Sequence, residues 1–218
     1  NVKQTAAVNN QKGDVVSSTS IISYNAKDVG TTDTQYFVLS NTSDWGSTIK
    51  SIALPGNTQY SISSVKCDAV DVVLPYVLKK GSACNIGVTT TYLSNTQSST
   101  VVVSYNNTNL GVSLNTPVGL APTADLDKGS MIFGAINAQN LQDCSQTATL
   151  TNNGNKSLTI TDLSLGGANA SAYSLSGNCA TGQLLAGSSC TIKVSPITSI
   201  VGDFVGNVSL STSVGNKS

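Results

Sequence analysis

The feature of this sequence that most constrains the fold is a short stretch that occurs twice. Residues 81–88 and 187–194 both begin with Gly-Ser and continue into a run in which Cys, Ile and Val fall on every second position. Side chains two residues apart point to the same face of a β-strand, so the three side chains of each copy belong to one buried face. The stretch therefore predicts a strand of the same kind in each of two related units.

The similarity between the two halves extends beyond this stretch. Residues 47–54 align with 158–165 at a shift of 111 residues, since 158 falls on 47, and their apolar positions coincide. Residues 60–63 (Tyr-Ser-Ile-Ser) align with 173–176 (Tyr-Ser-Leu-Ser). The first unit has extra residues before its repeated stretch, mainly 70–75, and these predict an inserted bulge or short strand.

Composition argues against several functions. The formal net charge is zero and 10% of the residues are charged, so no long-range field attracts nucleic acid or an anionic membrane. The sequence has no Arg, Glu or His. It therefore lacks the bidentate group that binds phosphate, and it also lacks the commonest general base and zinc ligand. We expect no enzyme activity, no cofactor and no nucleic-acid partner. The apolar runs are also too short for a membrane helix of roughly 20 residues.

The five cysteines predict disulfides in an oxidising compartment, because no C-x-x-C spacing occurs and no His can complete a zinc site. Each repeated stretch has one further cysteine upstream, so we expect Cys67 to pair with Cys84 and Cys179 with Cys190. Five cysteines permit other connectivities. Cys144 is left over: we expect it to stay unpaired, with an intermolecular or lipid-type linkage and a rearranged pairing as alternatives.

Turn residues bound short strands every eight to twelve positions, and no helical periodicity is present. This pattern predicts an all-β chain of two tandem β-sandwiches, each with an internal disulfide. We expect a flexible lead-in at 1–13, a first sandwich at 14–116 with its insertion near 68–80, and a second sandwich at 124–218. Residues 117–123 contain two prolines and a glycine, which predicts a linker.

The two units differ at their last strand. In the first unit, residues 100–105 turn back into 110–114, whereas in the second unit 204–212 reach the turn 214–216 just before Ser218. We expect the final strand of the second unit to be missing, which would leave an exposed edge beside an apolar groove. Either the native chain continues or its tail is disordered, or another chain fills the gap by strand addition.

Aromatic and apolar residues in turns are candidate contact residues. Trp45 is the only tryptophan, and it lies in a turn where the second unit has Lys156. A residue that Lys can replace does not belong to the core, so Trp45 is either a contact residue or a lid packed on its own turn. The further candidates for contact are Tyr76, Tyr92, Leu93 and Phe204.

Charged clusters point to turns rather than to chemistry. Asp125 and Asp127, with Asp143, could suggest a metal site, but D-x-D in a linker is typical of a solvated turn. No G-x-S-x-G elbow occurs among the many serines. We expect no metal and no catalytic residue.

The second unit resembles a known family. Residues 131–134 end in Phe-Gly, 147–155 read Thr-Ala-Thr-Leu-Thr-Asn-Asn-Gly-Asn, and Cys179 precedes the Gly-Ser-Ser-Cys-Thr-Ile stretch. This pattern is similar to the choice-of-anchor and ASH-type immunoglobulin-like repeats of bacterial envelope and surface proteins. The resemblance covers most of 131–212 and, more loosely, 33–115. It implies immunoglobulin-like sandwiches that serve as spacers, adhesive units or docking surfaces, without catalytic residues.

These observations favour a non-enzymatic, extracytoplasmic structural or docking protein. Its expected location is the periplasm, the outer membrane or the cell surface, and its expected partners are other envelope or surface proteins. The alternative is an adhesin or carbohydrate-binding module that uses the exposed aromatic side chains of the first unit.

Overall fold

The computed structural model describes residues 14–56, 59–135, 144–197 and 202–217. Within these ranges the chain consists of β-strands and turns, with a 3-10 turn at Ala170–Ala172 and no α-helix. In this part of the chain no helix is long and apolar enough to cross a bilayer. The chain separates into two compact units, Asn1–Gly119 and Leu120–Ser218. The predicted lead-in, residues 1–13, lies outside the described ranges.

The first unit contains two five-stranded sheets, in the orders β1-β3-β8-β5-β6 and β2-β10-β9-β4-β7. Its strands are, in chain order, β1 (Val15–Ser17), β2 (Ile21–Ser23), β3 (Thr32–Asn41), β4 (Ser47–Ala53), β5 (Tyr60–Cys67), β6 (Val70–Asp71), β7 (Tyr76–Leu78), β8 (Ala83–Thr91), β9 (Gln97–Tyr105) and β10 (Thr108–Thr116). The pairing of β2 with β10 is parallel, and the other pairings are antiparallel. Alternate residues of both sheets face one apolar core that includes Phe37, Leu39, Ile86 and Val103.

The second unit contains two four-stranded sheets, in the orders β11-β12-β16-β14 and β15-β13-β17-β18. Its strands are, in chain order, β11 (Asp125–Leu126), β12 (Gln146–Thr151), β13 (Leu158–Gly166), β14 (Tyr173–Gly177), β15 (Gly182–Leu184), β16 (Ser189–Pro196), β17 (Asn207–Thr212) and β18 (Gly215–Lys217). Its core is smaller and includes Leu150, Leu158, Ile192 and Leu210. The predicted all-β fold of two tandem immunoglobulin-like sandwiches is confirmed.

Each sandwich contains its own disulfide, as predicted. The bond between Cys67 and Cys84 joins residues that lie opposite each other on β5 and β8. The bond between Cys179 and Cys190 joins the residues after β14 to β16. Cys144 belongs to neither disulfide and is half-buried just before β12.

The extra residues of the first unit form one additional edge strand. The disulfide loop spans 17 residues in the first unit and 11 in the second. The added length contains β6, which pairs with the end of β5. Strand β7 belongs to the repeat itself, because it pairs with β4 as β15 pairs with β13. The insertion is therefore shorter than the predicted range 68–80.

Candidate functional site

Strand β17 is equivalent to residues 100–105 of β9. Ile52 of the first unit and Leu163 of the second are aligned by the repeat, and they lie opposite Val103 and Leu210. On its other side β9 pairs with the nine-residue β10. Strand β17 pairs there with β18, which has three residues.

The strand that we expected to be missing is thus present in part. Lys217 lies opposite Leu210 as Leu110 lies opposite Val103, so β18 is equivalent to the first three residues of β10. Among the residues that the structure describes, nothing in the second unit corresponds to residues 111–116.

The second half of β10 closes the first sandwich. Val112 and Leu114 are completely buried, and Thr116 is nearly so. This part of β10 lies between β9 on one side and β2 on the other. Ile22 of β2 and Tyr24 just after it are buried together with it.

Residues 131–133 of the second unit lie where the first unit has β2. Strand β11 pairs with β12 as β1 pairs with β3, so Asp125 is equivalent to Val16. The chain that follows β11 is therefore aligned with the chain that follows β1 at a shift of 109 residues. The ring of Phe133 lies 5.6 Å from that of Tyr173. In the first unit the equivalent rings, those of Tyr24 and Tyr60, are 6.1 Å apart.

This segment, which belongs to the family-like pattern of the second unit, does not form a strand. Strand β11 precedes it, and residues 131–134 have no strand conformation. The physical reason is the pairing: β2 is a strand because it adds in parallel to the second half of β10. That half of the strand has no counterpart among the described residues of the second unit.

A groove of about 950 Å³ is lined by both residues 131–133 and β17. It occupies the place that the second half of β10 fills in the first unit. Its apolar lining includes Ala148, Leu165, Ile192, Val194, Val208 and Leu210. Three lining residues are only half-buried, namely Met131, Phe133 and Val208. Their counterparts in the first unit are buried, namely Ile22, Tyr24 and Val101.

A tyrosine hydroxyl lies at one end of this space in both units. The Oη of Tyr60 donates to the carbonyl oxygen of Gln97 at 3.2 Å and is 2.8 Å from Oγ1 of Thr116. The Oη of Tyr173 donates to the carbonyl oxygen of Phe204 at 2.8 Å. Either hydroxyl can be the donor in the contact between Tyr60 and Thr116. With its proton donated to Phe204, the oxygen of Tyr173 can still accept a hydrogen bond.

The groove has an apolar floor, with a few charged residues in its lining. The charged residues that line it are Lys128, Asp203 and Lys217, all exposed. The Nζ of Lys128 donates to the carbonyl oxygen of Thr147 at 2.7 Å. An apolar floor of this kind suits aliphatic side chains rather than a charged ligand.

The predicted contact residues belong to both units. Phe204 lines the groove. Trp45 is 54% exposed in its turn and Leu93 is 40% exposed, both in the first unit. Tyr76 is half-buried against the core of the first unit.

Tyr92 is a core residue rather than a contact residue, which corrects our prediction. Its side chain is completely buried, and its hydroxyl donates to the carbonyl oxygen of Asn25 at 2.5 Å. Burial raises the pKa of this phenol. The inward alternation of β8 continues past the end of the strand, and this places Tyr92 inside.

The aspartates of the predicted turn bind other parts of the chain. Oδ1 of Asp127 accepts a hydrogen bond from the backbone N–H of Thr149 at 2.7 Å. Oδ2 of Asp125 accepts one from Asn153 at 3.4 Å. Asp143 lies outside the described residues. No cluster of three potential metal ligands occurs in the part of the chain that the structure describes.

Sequence reasoning placed the groove in the second unit but missed most of its residues. It named Phe204, but not Met131, Phe133 or Tyr173 as residues of the site. The signal was present in the sequence as the alignment of Tyr60 with Tyr173. It could not be used without the strand register that brings residues 131–133 beside β17.

No protein-family profile matches this chain, and no curated protein is significantly similar to it. Among solved structures, it is similar to the ASH/PapD-like domain 7 of human CEP192. The identity is 9% and the TM-score 0.37, over 49% of this chain and 86% of that one.

Two further solved structures are similar to the chain. One is the CsuC–CsuE chaperone–tip adhesion subunit pre-assembly complex of archaic chaperone-usher Csu pili from Acinetobacter baumannii. The identity is 14% and the TM-score 0.34, over 94% of each chain. The other is the VesB protease of Vibrio cholerae, with 13% identity and a TM-score of 0.37 over 48% of this chain and 32% of that one. Similarity this low carries no information about function, and membership of the choice-of-anchor or ASH-type repeats stays a prediction.

Proposed function

We propose that this chain is a non-enzymatic docking protein of a bacterial envelope or cell surface. In this proposal its second unit accepts an extended segment of another protein as an added strand. The observation that supports the proposal is the apolar groove beside β17, because the first unit fills the same place with half of β10. An added strand gains affinity from main-chain hydrogen bonds and specificity from the pockets that receive alternate side chains.

Both units support an extracytoplasmic location for this function. Each has a disulfide between residues close in sequence, and such bonds persist in oxidising compartments. The chain has few charges and no Arg, Glu or His, so recognition would depend on strand edges and apolar pockets.

Site-specific photo-crosslinking in the producing cell tests the proposal. A photoreactive amino acid at Val208, which lines the groove, should give a covalent adduct with another envelope protein. The matched control is the same substitution at Val101, the buried counterpart in the first unit. If Val208 gives no more adduct than Val101, the docking function is wrong.

Exposed aromatic rings support a second candidate function, carbohydrate binding by the first unit. The ring of Trp45 is 54% exposed, and an exposed tryptophan can stack on a sugar ring. Glycan-array binding that is lost in Trp45→Ala and kept in Val77→Ala, a change at a nearby exposed apolar residue, would favour this candidate. Equal binding by both variants would exclude a role for Trp45.

A further inference from the structure

We infer that the first unit binds a sugar ring of a neutral glycan on the outer face of its β1-β3-β8-β5-β6 sheet. The site consists of the ring of Tyr36 and the hydroxyls of Ser63 and Ser64, which meet above Gly87. The inference rests on the second candidate function, carbohydrate binding, and assigns it to a site other than Trp45. It does not depend on the docking function of the second unit.

An exposed aromatic ring lies over the central strand of this sheet. Phe37 and Leu39 of β3 face the core, so Tyr36 points to the opposite side, where its side chain is 59% exposed. Tyr36 lies opposite Gly87 of β8. A Cβ at Gly87 would be 2.9 Å from Cε1 of Tyr36. The ring therefore extends from β3 across β8 and takes the space above the glycine.

Two serine hydroxyls reach the same point from the other side. Strand β5 has a bulge between Ile62 and Ser64, and Ser64 lies opposite Gly87. The Oγ atoms of Ser64 and Ser63 are 2.5 and 2.8 Å from the position that a Cβ of Gly87 would occupy. A bulge adds one residue to its strand and redirects the side chains there. It brings both hydroxyls beside the ring.

The glycine is required by the space above it rather than by its backbone conformation. Gly87 is not one of the described glycines with a positive φ. Glycine inside a strand weakens the strand and often marks the close approach of a ligand or of another backbone. A side chain at Gly87 would displace the ring of Tyr36 and both serines. The first unit therefore keeps this surface open at a cost to the strand.

The second unit lacks this arrangement. In its copy of the repeated stretch, Lys193 takes the place of Gly87. Lys193 lies opposite Thr147 on one side and Ser176 on the other, and β14 pairs with β16 without a shift of register. An exposed lysine between two hydroxyl-bearing residues is typical of a solvated sheet face. The ring, the glycine and the bulge are therefore not required by the shared fold.

The three hydroxyls are available to a ligand. In the described part of the chain, the side chains of Tyr36, Ser63 and Ser64 take part in no hydrogen bond. A serine hydroxyl both donates and accepts hydrogen bonds, as a sugar hydroxyl does. A ligand that carries hydroxyls around an apolar face can therefore use the ring and both serines at once.

The surrounding charges favour a neutral ligand. The row of residues beside the ring contains the hydroxyls of Thr34 and Thr89, which are 2.7 Å apart. The row on its other side contains Asn85 and Lys66. Lys66 lies opposite Asp71 of β6, so its charge is offset on the same face. An anionic sugar would find no cation free of a carboxylate there.

The same surroundings favour a glycan over a protein surface. The cores of protein interfaces are enriched in aromatic residues but depleted of serine. Here one ring is flanked by two serines rather than by further apolar side chains. Tyr36 supplies one stacking surface, and its polar neighbours can fix the orientation of a sugar ring.

An array of neutral, sialylated and sulphated oligosaccharides tests the assignment on the full chain. Neutral oligosaccharides should bind, and titration of the one bound best should show a loss of about tenfold or more in Tyr36→Ala. Tyr36→Phe keeps the ring and should lose no more than about threefold. Trp45→Ala, at an exposed ring outside the site, is the control and should bind as the native chain does. No binding to neutral oligosaccharides, or equal binding by Tyr36→Ala and the native chain, would overturn the inference.

A residue exchange between the units tests the role of the glycine. Gly87→Lys copies the second unit and should abolish binding, while the reverse change, Lys193→Gly, should leave binding unchanged. The fluorescence of Trp45 in urea shows whether the first unit of Gly87→Lys is folded. Replacing Ser63 and Ser64 together by alanine should weaken binding by about threefold to tenfold. Full binding by a folded Gly87→Lys would contradict the site.

NMR locates the ligand directly. In the same titration the amide signals of Gly87 and Ser64 should shift in the native chain and stay in place in Tyr36→Ala. Shifts confined to the turn of Trp45 would assign carbohydrate binding to that turn and overturn the inference.

The outcomes also separate the inference from its alternatives. A photoreactive amino acid at Tyr36 that gives a protein adduct in the producing cell, without any glycan binding, would identify a protein interface and overturn the assignment to a sugar. An adduct at Val208 tests the docking function alone, because the groove belongs to the second unit. Either proposal can therefore fail while the other holds.

Discussion

Asn152 makes the same hydrogen bonds in the second unit as Asn41 makes in the first. Each side-chain Nδ2 donates to the carbonyl oxygen four residues further on, that of Trp45 at 2.6 Å and that of Lys156 at 2.8 Å. Each also donates to the end of the next edge strand, β7 or β15, at 2.9 and 3.1 Å. The two amides are almost completely buried. The two amides fix the turn between β3 and β4 in the first unit and the turn between β12 and β13 in the second.

Replacing either asparagine by alanine should destabilise its unit by about 1–3 kcal/mol, because two backbone carbonyl groups lose the hydrogen bond from the buried side-chain amide. Trp45 is the only tryptophan and lies in the first unit, so its fluorescence follows the unfolding of that unit in urea. Asn41→Ala should lower the midpoint of this transition. Thr42→Ala, at the exposed neighbouring residue, is the control and should leave the midpoint unchanged. Equal midpoints for the two variants would contradict the role of the amide.

The fold could be predicted from the sequence because its determinants are local and repeated. Alternating Cys, Ile and Val identify an inward strand face without any long-range information. The spacing of the cysteines then assigned the two disulfides correctly. Trp45 was placed outside the core because the repeat aligns it with Lys156, and the shared hydrogen bond to the buried asparagine confirms that alignment.

The site could be predicted only in outline because it depends on cross-strand register. The parallel pairing of β2 with β10 joins residues about ninety positions apart, and no local pattern indicates it. Met131 and Phe133 were therefore not identified as residues of the site. Tyr92 looked like an exposed turn residue because it follows β8, although its ring turns inward.

Removing either disulfide by replacing both cysteines with alanine should destabilise its unit by about 3 kcal/mol. The chain-entropy relation gives nearly the same stabilisation for loops of 17 and 11 residues. The pairs to compare are Cys67→Ala with Cys84→Ala, and Cys179→Ala with Cys190→Ala. Cys144→Ala serves as the single-cysteine control, because this residue belongs to neither bond. Thermal unfolding measures the change, and a loss as large in the control as in the pairs would contradict the prediction.

Stability should fall above pH 10, in part through Tyr24. Burial raises the pKa of this phenol above its usual value, and its Oη donates to the carbonyl oxygen of Val88 at 2.8 Å. Above pH 10 the unfolded chain releases this proton while the folded chain keeps it. The stabilisation is therefore complete below pH 10 and is lost as the pH rises toward the folded-state pKa.

Urea unfolding at a series of pH values from 8 to 11 measures the effect. The free energy of unfolding should fall by about 1.4 kcal/mol per pH unit for each tyrosine that ionises only on unfolding. Tyr24→Phe should reduce the slope above pH 10. Tyr36→Phe, at a residue that is 59% exposed, should not. An unchanged slope in Tyr24→Phe would show that other groups cause the alkaline loss.

Gly177→Ala should destabilise the second unit more than Gly182→Ala, although both glycines have a positive φ. The φ angles are +116° and +131°, so an L-residue is strained at either position, at a cost of about 1–3 kcal/mol. A Cβ at Gly177 would lie 2.2 Å from the carbonyl oxygen of Thr191, whereas a Cβ at Gly182 would meet no atom within 4 Å. The atom that must move at Gly177 is backbone of β16 next to the disulfide, so relief requires the strand itself to shift. Thermal unfolding of the two variants measures the effect: the difference between their losses of stability is due to the contact with Thr191, because the backbone strain is common to both. Equal losses would show that β14 and β16 can move apart there without cost.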